Sequence, residues 1–67
     1  MRIFAERLKE LRAAKGLSCL ALGKLVGVSD ATICTWENGK SDIKSDLLIR
    51  LAKFFGVSTD YLLGLED

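Results

Sequence analysis

The chain has no histidine, no proline and no apolar run long enough for a membrane, and each absence removes a class of function. Without imidazole, paired buried carboxylates or a phosphate loop, no catalytic constellation can be assembled, so an enzyme is not expected. The only two cysteines, Cys19 and Cys34, fit neither a CxxC nor a CxxH spacing, so neither a metal nor another cofactor is expected. Their plain reading is a pair of reduced thiols in a cytoplasmic protein. No segment approaches the ~20 apolar residues that span a bilayer. No charged-then-apolar leader opens the chain either, so neither membrane nor export is expected.

What is present suits one small globule over residues 1–67. The composition is 49% hydrophobic and 28% charged, which argues against disorder. The net charge is only +1, so bulk charge does not announce a polyanion as partner. Its distribution is more telling. All ten cations lie in residues 1–53, while Asp60, Glu66 and Asp67 make the last fourteen residues acidic.

With no proline, the punctuation falls to glycine. Gly16, Gly27, Gly39, Gly56 and Gly64 stand where helix ends are needed. They cut the chain into five helical segments, and no alternating strand pattern remains. The first runs from about Ile3 to Lys15, with Phe4, Leu8 and Leu11 on one stripe. The second starts at the N-cap Ser18 and is expected to bury Leu22, Leu25 and Val26. The third starts at the N-cap Ser29, with Val28 and Ile33 placed to form a hydrophobic staple. The fourth covers Ser45 to Phe55, with Leu48, Leu51, Ala52 and Phe55 at i, i+3, i+4 and i+7. The fifth repeats the staple with Val57, cap Ser58 and Leu62. The expected fold is all-α, five helices around one core.

The second and third helices are separated by only Gly27, Val28 and Ser29, which is the grammar of a helix-turn-helix. Gly23 lies inside the second helix, where glycine costs ~1 kcal/mol relative to alanine. Close approach of a neighbouring helix is one reason to tolerate it; simple drift at a permissive site is the other. On a helical wheel of residues 30–38, Ile33 and Trp36 point one way, towards a core. Ala31, Cys34, Thr35 and Asn38 point the other way, with Asp30 at the edge. That outward side is short everywhere. It suits the major groove of B-DNA, where the methyl groups of Ala31 and Thr35 can meet thymine methyls.

Three stretches in order, RLKELRAAKGLS, LGKLVGVSDATICTWENGK and LLIRLAKFFGVSTDYLLG, resemble the phage repressor and Cro-type helix-turn-helix family, also called the XRE family. The resemblance covers nearly the whole chain. It implies a five-helix DNA-binding domain of a transcriptional regulator, most often a repressor, that works as a homodimer on a palindromic operator. It implies a recognition helix from Ser29 to Asn38 with Asp30, Ala31 and Thr35 reading bases. Cys19, Asn38, Gly39, Lys40 and Lys44 would meet phosphates, and Arg12 and Glu37 would form a structural ion pair.

Three departures from the family pattern stand out. Cys19 replaces a glutamine, Asp30 replaces a neutral or basic residue, and Ile43 replaces a proline. With the low net charge, the acid at 30 favours a rival reading: an antitoxin or protein-interaction module whose DNA surface has weakened. Several residues also have bland readings. Lys24, Lys40 and Lys44 suit a solvated surface, and a cation at Lys40 is favoured by the preceding helix C-terminus anyway. Arg2, Arg7 and Lys9 read as plain exposed charges. Cys19, in the first turn of its helix, is placed for a lowered thiol pKa, and Cys34 shares its face, so oxidation could block that face. Tyr61, Leu62 and Leu65 offer apolar surface for dimerisation, with closure of the core as the alternative.

Overall fold

The computed structural model describes residues 2–66; Asp67, the last of the three C-terminal acids, lies outside them. Five helices follow in order: α1 (Arg2–Ala14), α2 (Cys19–Val26), α3 (Asp30–Glu37), α4 (Ser45–Phe55) and α5 (Thr59–Leu63). Among the described residues there is no strand. No single helix there is long and apolar enough to cross a membrane.

Local chemistry sets the boundaries. Ser18, Ser29 and Ser58 each accept a backbone N–H bond at the third residue on, from Ala21, Thr32 and Tyr61. These are orphan donors that would otherwise go unpaired. At the far ends Gly27, Gly56 and Gly64 take the left-handed conformation, in which a Cβ would be strained.

The core is one cluster to which every helix contributes: Phe4 and Leu8 from α1, Leu22 and Val26 from α2, Ile33 and Trp36 from α3, Leu48, Leu51 and Ala52 from α4, and Leu62 from α5. Phe4 meets Trp36 edge-to-face, with ring centroids 6.4 Å apart. That geometry suits the ring quadrupoles and fixes α3 against α1. Val28 and Val57, the residues before the caps of α3 and α5, are half-buried against this cluster, as the staples require.

Three expectations need correcting. Leu25 is not buried; it is 58% exposed. The inward stripe of α2 is filled by Cys19, Leu22, Gly23 and Val26, and Leu25 falls on its flank. Leu62 is completely buried, so it closes the core and is not free to dimerise. Arg7 is not a plain surface charge. Its guanidinium donates to the carbonyls of Tyr61 and Glu66 and lies 4.3 Å above the Tyr61 ring. One cation thereby closes α5 onto α1.

Candidate nucleic-acid interface

Helices α2 and α3 are held as a rigid pair, and Gly23 is the reason they approach so closely. A Cβ at Gly23 would stand 2.5 Å from the Val28 carbonyl oxygen and 3.2 Å from the Ser29 carbonyl carbon. The turn backbone therefore passes over the bare glycine. Gly27 and Val28 both donate to the Gly23 carbonyl, each at 2.8 Å. The chain swings through 110° between the two helices, within the range of a helix-turn-helix. From behind, Arg50 of α4 donates to the Val26 carbonyl at 2.9 Å and satisfies the C-terminus of α2.

A second tie fixes α3 to α1. Arg12 Nε donates to Glu37 Oε2 at 2.6 Å, and Nη2 donates to Oε1 at 3.0 Å. Nη1 donates to the Leu17 carbonyl at 2.8 Å. Both side chains are largely out of water, at 18% and 7% exposure. The hydrogen bonds that Arg12 donates to Glu37 raise the Arg12 pKa above its already high value, against the opposing effect of desolvation. This is the paired, fully hydrogen-bonded form in which a buried charge is tolerated. The expected Arg12–Glu37 pair is therefore present, and it is structural.

With its inner side locked, α3 presents the outer side. Asp30, Ala31 and Cys34 are exposed, and Thr35 is half-buried. Asp30 Oδ1 accepts the Ala31 N–H at 2.9 Å, so the acid sits on the positive end of the helix. The Thr35 hydroxyl donates to the Ala31 carbonyl at 2.8 Å. That leaves its oxygen lone pairs and its methyl group for a ligand. After the helix, Gly39 donates to the Trp36 carbonyl and Lys40 to the Thr35 carbonyl, reversing the chain. Asn38 and Lys40 are exposed on that reversal, with Gly39 half-buried. Lys44 is exposed at the N-cap of α4, where no side chain caps the helix amides. Lys24, on α2, is exposed too.

Cys19 departs from its expected behaviour. It is half-buried against the core. Burial, and then contact with the Cys34 thiol, push its pKa up rather than down. Desolvation disfavours the thiolate directly and outweighs the opposing pull of the Arg12 charge. Two positioning residues had little signal in the sequence: Arg7 and Arg50, each aimed at a carbonyl on a distant segment. Among the described residues no group of three metal-ligating side chains comes together.

Two eight-residue helices, a three-residue turn and a short exposed outer face define a helix-turn-helix domain. The helix-turn-helix family profile matches residues 8–62, and the chain belongs to this XRE-type family. It is 36% identical over 62 residues to the repressor protein C2 of Salmonella phage P22, covering 92% of this chain and 29% of that protein. It is 41% identical over 61 residues to the uncharacterised regulator MJ0272 of Methanocaldococcus jannaschii, covering 91% and 92%. The crystal structure of the P22 c2 repressor with a synthetic operator superposes with a TM-score of 0.85 at 34% identity, over 92% of this chain and 94% of that one. The chain spans between 29% and 58% of the length of four of the curated relatives it matches.

Proposed function

We propose that this domain binds double-stranded DNA in the major groove, sequence-specifically, and regulates transcription as a repressor in the cytoplasm. The observation that carries the reading is the outer face of α3. It is short, exposed and rigidly buttressed, on a scaffold that superposes on a repressor solved with its operator. Ala31, Thr35 and Asp30 face bases in this reading. Asn38, Gly39, Lys40 and Lys44 meet phosphates with Cys19, and the uncapped amides of α4 add donors beside Lys44. The domain acts as a homodimer on a palindromic site. With principal extents of 28 × 23 × 21 Å, two copies side by side can set their α3 helices about 34 Å apart, one turn of DNA. Ile3 and Leu65, exposed beside α1 and α5, are the apolar surface for that contact, with an open groove of about 350 Å³ lined by Arg2, Ile3, Phe4 and Leu63.

Titration of an operator selected from random duplex tests this. If about four to six phosphates are met, log K falls against log salt with a slope of roughly −4 to −5. Lys40→Ala weakens binding to all sequences alike and flattens the slope by about one unit. Two chains load per operator, read by sedimentation. A Lys40→Ala protein with unchanged affinity and slope removes that residue from the interface.

The rival reading, an antitoxin or interaction module, rests on Asp30. A carboxylate accepts hydrogen bonds only, so its one good base partner is the cytosine amino group, and it repels phosphates. On the DNA reading Asp30 therefore discriminates, weakening wrong sites more than it strengthens the right one. Asp30→Asn removes the charge and keeps the size and the acceptor for Ala31. It is expected to raise affinity for random duplex and narrow the operator-to-random gap by about 1–3 kcal/mol. An unchanged ratio makes the acid a helix-end residue only. A protein that retards no duplex at low salt leaves the interaction module standing.

A further inference from the structure

The outer side of α3 is short of hydrogen-bond donors. Its base-facing row is Asp30, Ala31 and Thr35, with Cys34 exposed beside them. Thr35 has one hydroxyl hydrogen, and it is spent on the Ala31 carbonyl at 2.8 Å. Asp30 is a carboxylate and only accepts. One of its oxygens takes the Ala31 N–H at 2.9 Å, which leaves the other oxygen for a ligand. Among the described residues the ion pairs are Arg2–Glu6 and Arg12–Glu37, so no cation covers the Asp30 charge. Ala31 offers a methyl group, and the Cys34 S–H is a weak donor. Two of the first helix amides are taken as well, Ala31 N–H by Asp30 and Thr32 N–H by Ser29. The Ser29 and Thr32 hydroxyls hold each other at 2.9 Å, and Thr32 is half-buried on the flank of the helix. Asn38 carries an outward amide, but it stands at the C-terminal end of α3, and a recognition helix reaches base edges with its N-terminal residues.

Base edges in the major groove differ in what they require. Guanine shows two acceptors, N7 and O6, and needs donors. Cytosine shows an amino donor, and thymine shows a methyl group. We propose that α3 reads only base edges that carry an amino or a methyl group, so that the operator presents a cytosine to Asp30, thymines to Ala31 and Thr35, and no guanine edge to any of them. This names the operator class for the DNA-binding reading above and rests on it. Guanine in front of Asp30 would set acceptor against acceptor with no hydrogen between them, and desolvated groups left unpaired in this way are costly. The guanine paired with the chosen cytosine turns its N7 to the far side of the groove, where this row supplies no donor. The free side of Thr35 is its methyl group, since its hydrogen is held within the helix.

The test starts from operator duplex selected from random sequence by the full chain at one fixed salt, with affinities corrected for folded fraction. Parallel selections with Asp30→Asn and Thr35→Ser mark the base pairs under α3, because the chosen sequence changes there. In the wild-type operator, 7-deazaguanine at those pairs removes N7 and leaves affinity unchanged. Uracil in place of thymine deletes the methyl group and weakens binding about fourfold per methyl met, the worth of one buried CH₂. Thr35→Val keeps the methyl and the wild-type thymine-to-uracil ratio, whereas Thr35→Ser loses the preference at its pair. Asp30→Asn supplies the missing N–H, so its selection returns a purine where the wild type takes cytosine. That new operator does depend on N7, and the 7-deazapurine weakens it about tenfold, the worth of one base position.

A wild-type operator that weakens with 7-deazaguanine under α3 overturns the proposal. So does indifference to uracil, or a selected sequence that the substitutions at 30 and 35 leave unchanged. A chain that retards no duplex at low salt sinks the DNA-binding reading and the proposal together. Specific binding that depends on guanine N7 sinks the proposal alone and leaves that reading in place.

Discussion

Glu37→Ala is expected to destabilise the fold by about 3 kcal/mol, the low end of what breaking a buried pair costs. For a domain of this size that lowers the melting temperature by roughly 12–24 °C. The argument starts from what Arg12 keeps. Two of its three hydrogen bonds go to Glu37, at 2.6 and 3.0 Å, and only the bond to the Leu17 carbonyl remains after truncation. A guanidinium at 18% exposure cannot recover those bonds from water without loosening α1 from α3. The partial exposure is why the estimate sits at the low end.

Two companions separate the charge from the shape. Glu37→Gln keeps an acceptor for one donor and should lose about half as much, since a hydrogen bond to a charged group is worth about 1.5–3 kcal/mol. Arg12→Met with Glu37→Leu removes both charges at similar volume and should recover most of the loss. Thermal unfolding of the wild type, Arg12→Met, Glu37→Leu and the double variant closes a double-mutant cycle. A coupling energy near zero would show that the pair is decorative and that Phe4 against Trp36 alone holds α3 on α1. DNA affinity corrected for folded fraction should change less than stability, because Glu37 faces away from the outer side of α3.

Much of this fold was legible because its signals are local. Ser18, Ser29 and Ser58 cap helices through bonds to residues three positions on, and any reader of hydroxyl chemistry can find them. The stripe Leu48, Leu51, Ala52 and Phe55 needs only the helical period, so the bounds of α4 agree with the structure at both ends. The outer face of α3 was legible for the same reason; base and phosphate roles came from the family resemblance. What escaped depends on distant partners. Arg7 finds carbonyls 54 and 59 residues away, and Arg50 finds one 24 away. No spacing rule encodes such pairs. Leu25 and Leu62 show the same limit from the other side. An apolar residue on the edge of a short helix is buried or exposed according to which neighbours arrive, and α2 and α5 are too short for periodicity to settle it. Cys19 failed through competing effects: the helix terminus was visible in sequence, and the burial that reverses it was not.

Gly23→Val is expected to cost at least about 3 kcal/mol, the upper range for overpacking a tight contact, and to impair DNA binding beyond that loss. The obstacle is backbone, not a side chain that can rotate away. Even a bare Cβ would stand 2.5 Å from the Val28 oxygen and within 3.3 Å of two Ser29 backbone atoms. Alanine already forces the turn to move, offset in part by ~1 kcal/mol of helix propensity. Valine adds two further carbons in the crevice and loses part of that propensity. The turn must lift, and lifting it changes the 110° swing that α3 inherits from α2. The bonds that Gly27 and Val28 make to the Gly23 carbonyl lengthen with it. The effect on DNA should therefore persist after correction for folded fraction, which distinguishes Gly23 from Glu37. Gly16→Ala is the control. Nothing lies within 4 Å of a Cβ there, but its φ of +66° is left-handed, so it should cost about 1–2 kcal/mol of strain alone. Its folded fraction should bind DNA like the wild type. If Gly23→Val folds as stably as the parent and binds operator equally, the close approach of the turn is not what fixes α3, and the rigid-pair account of this interface fails.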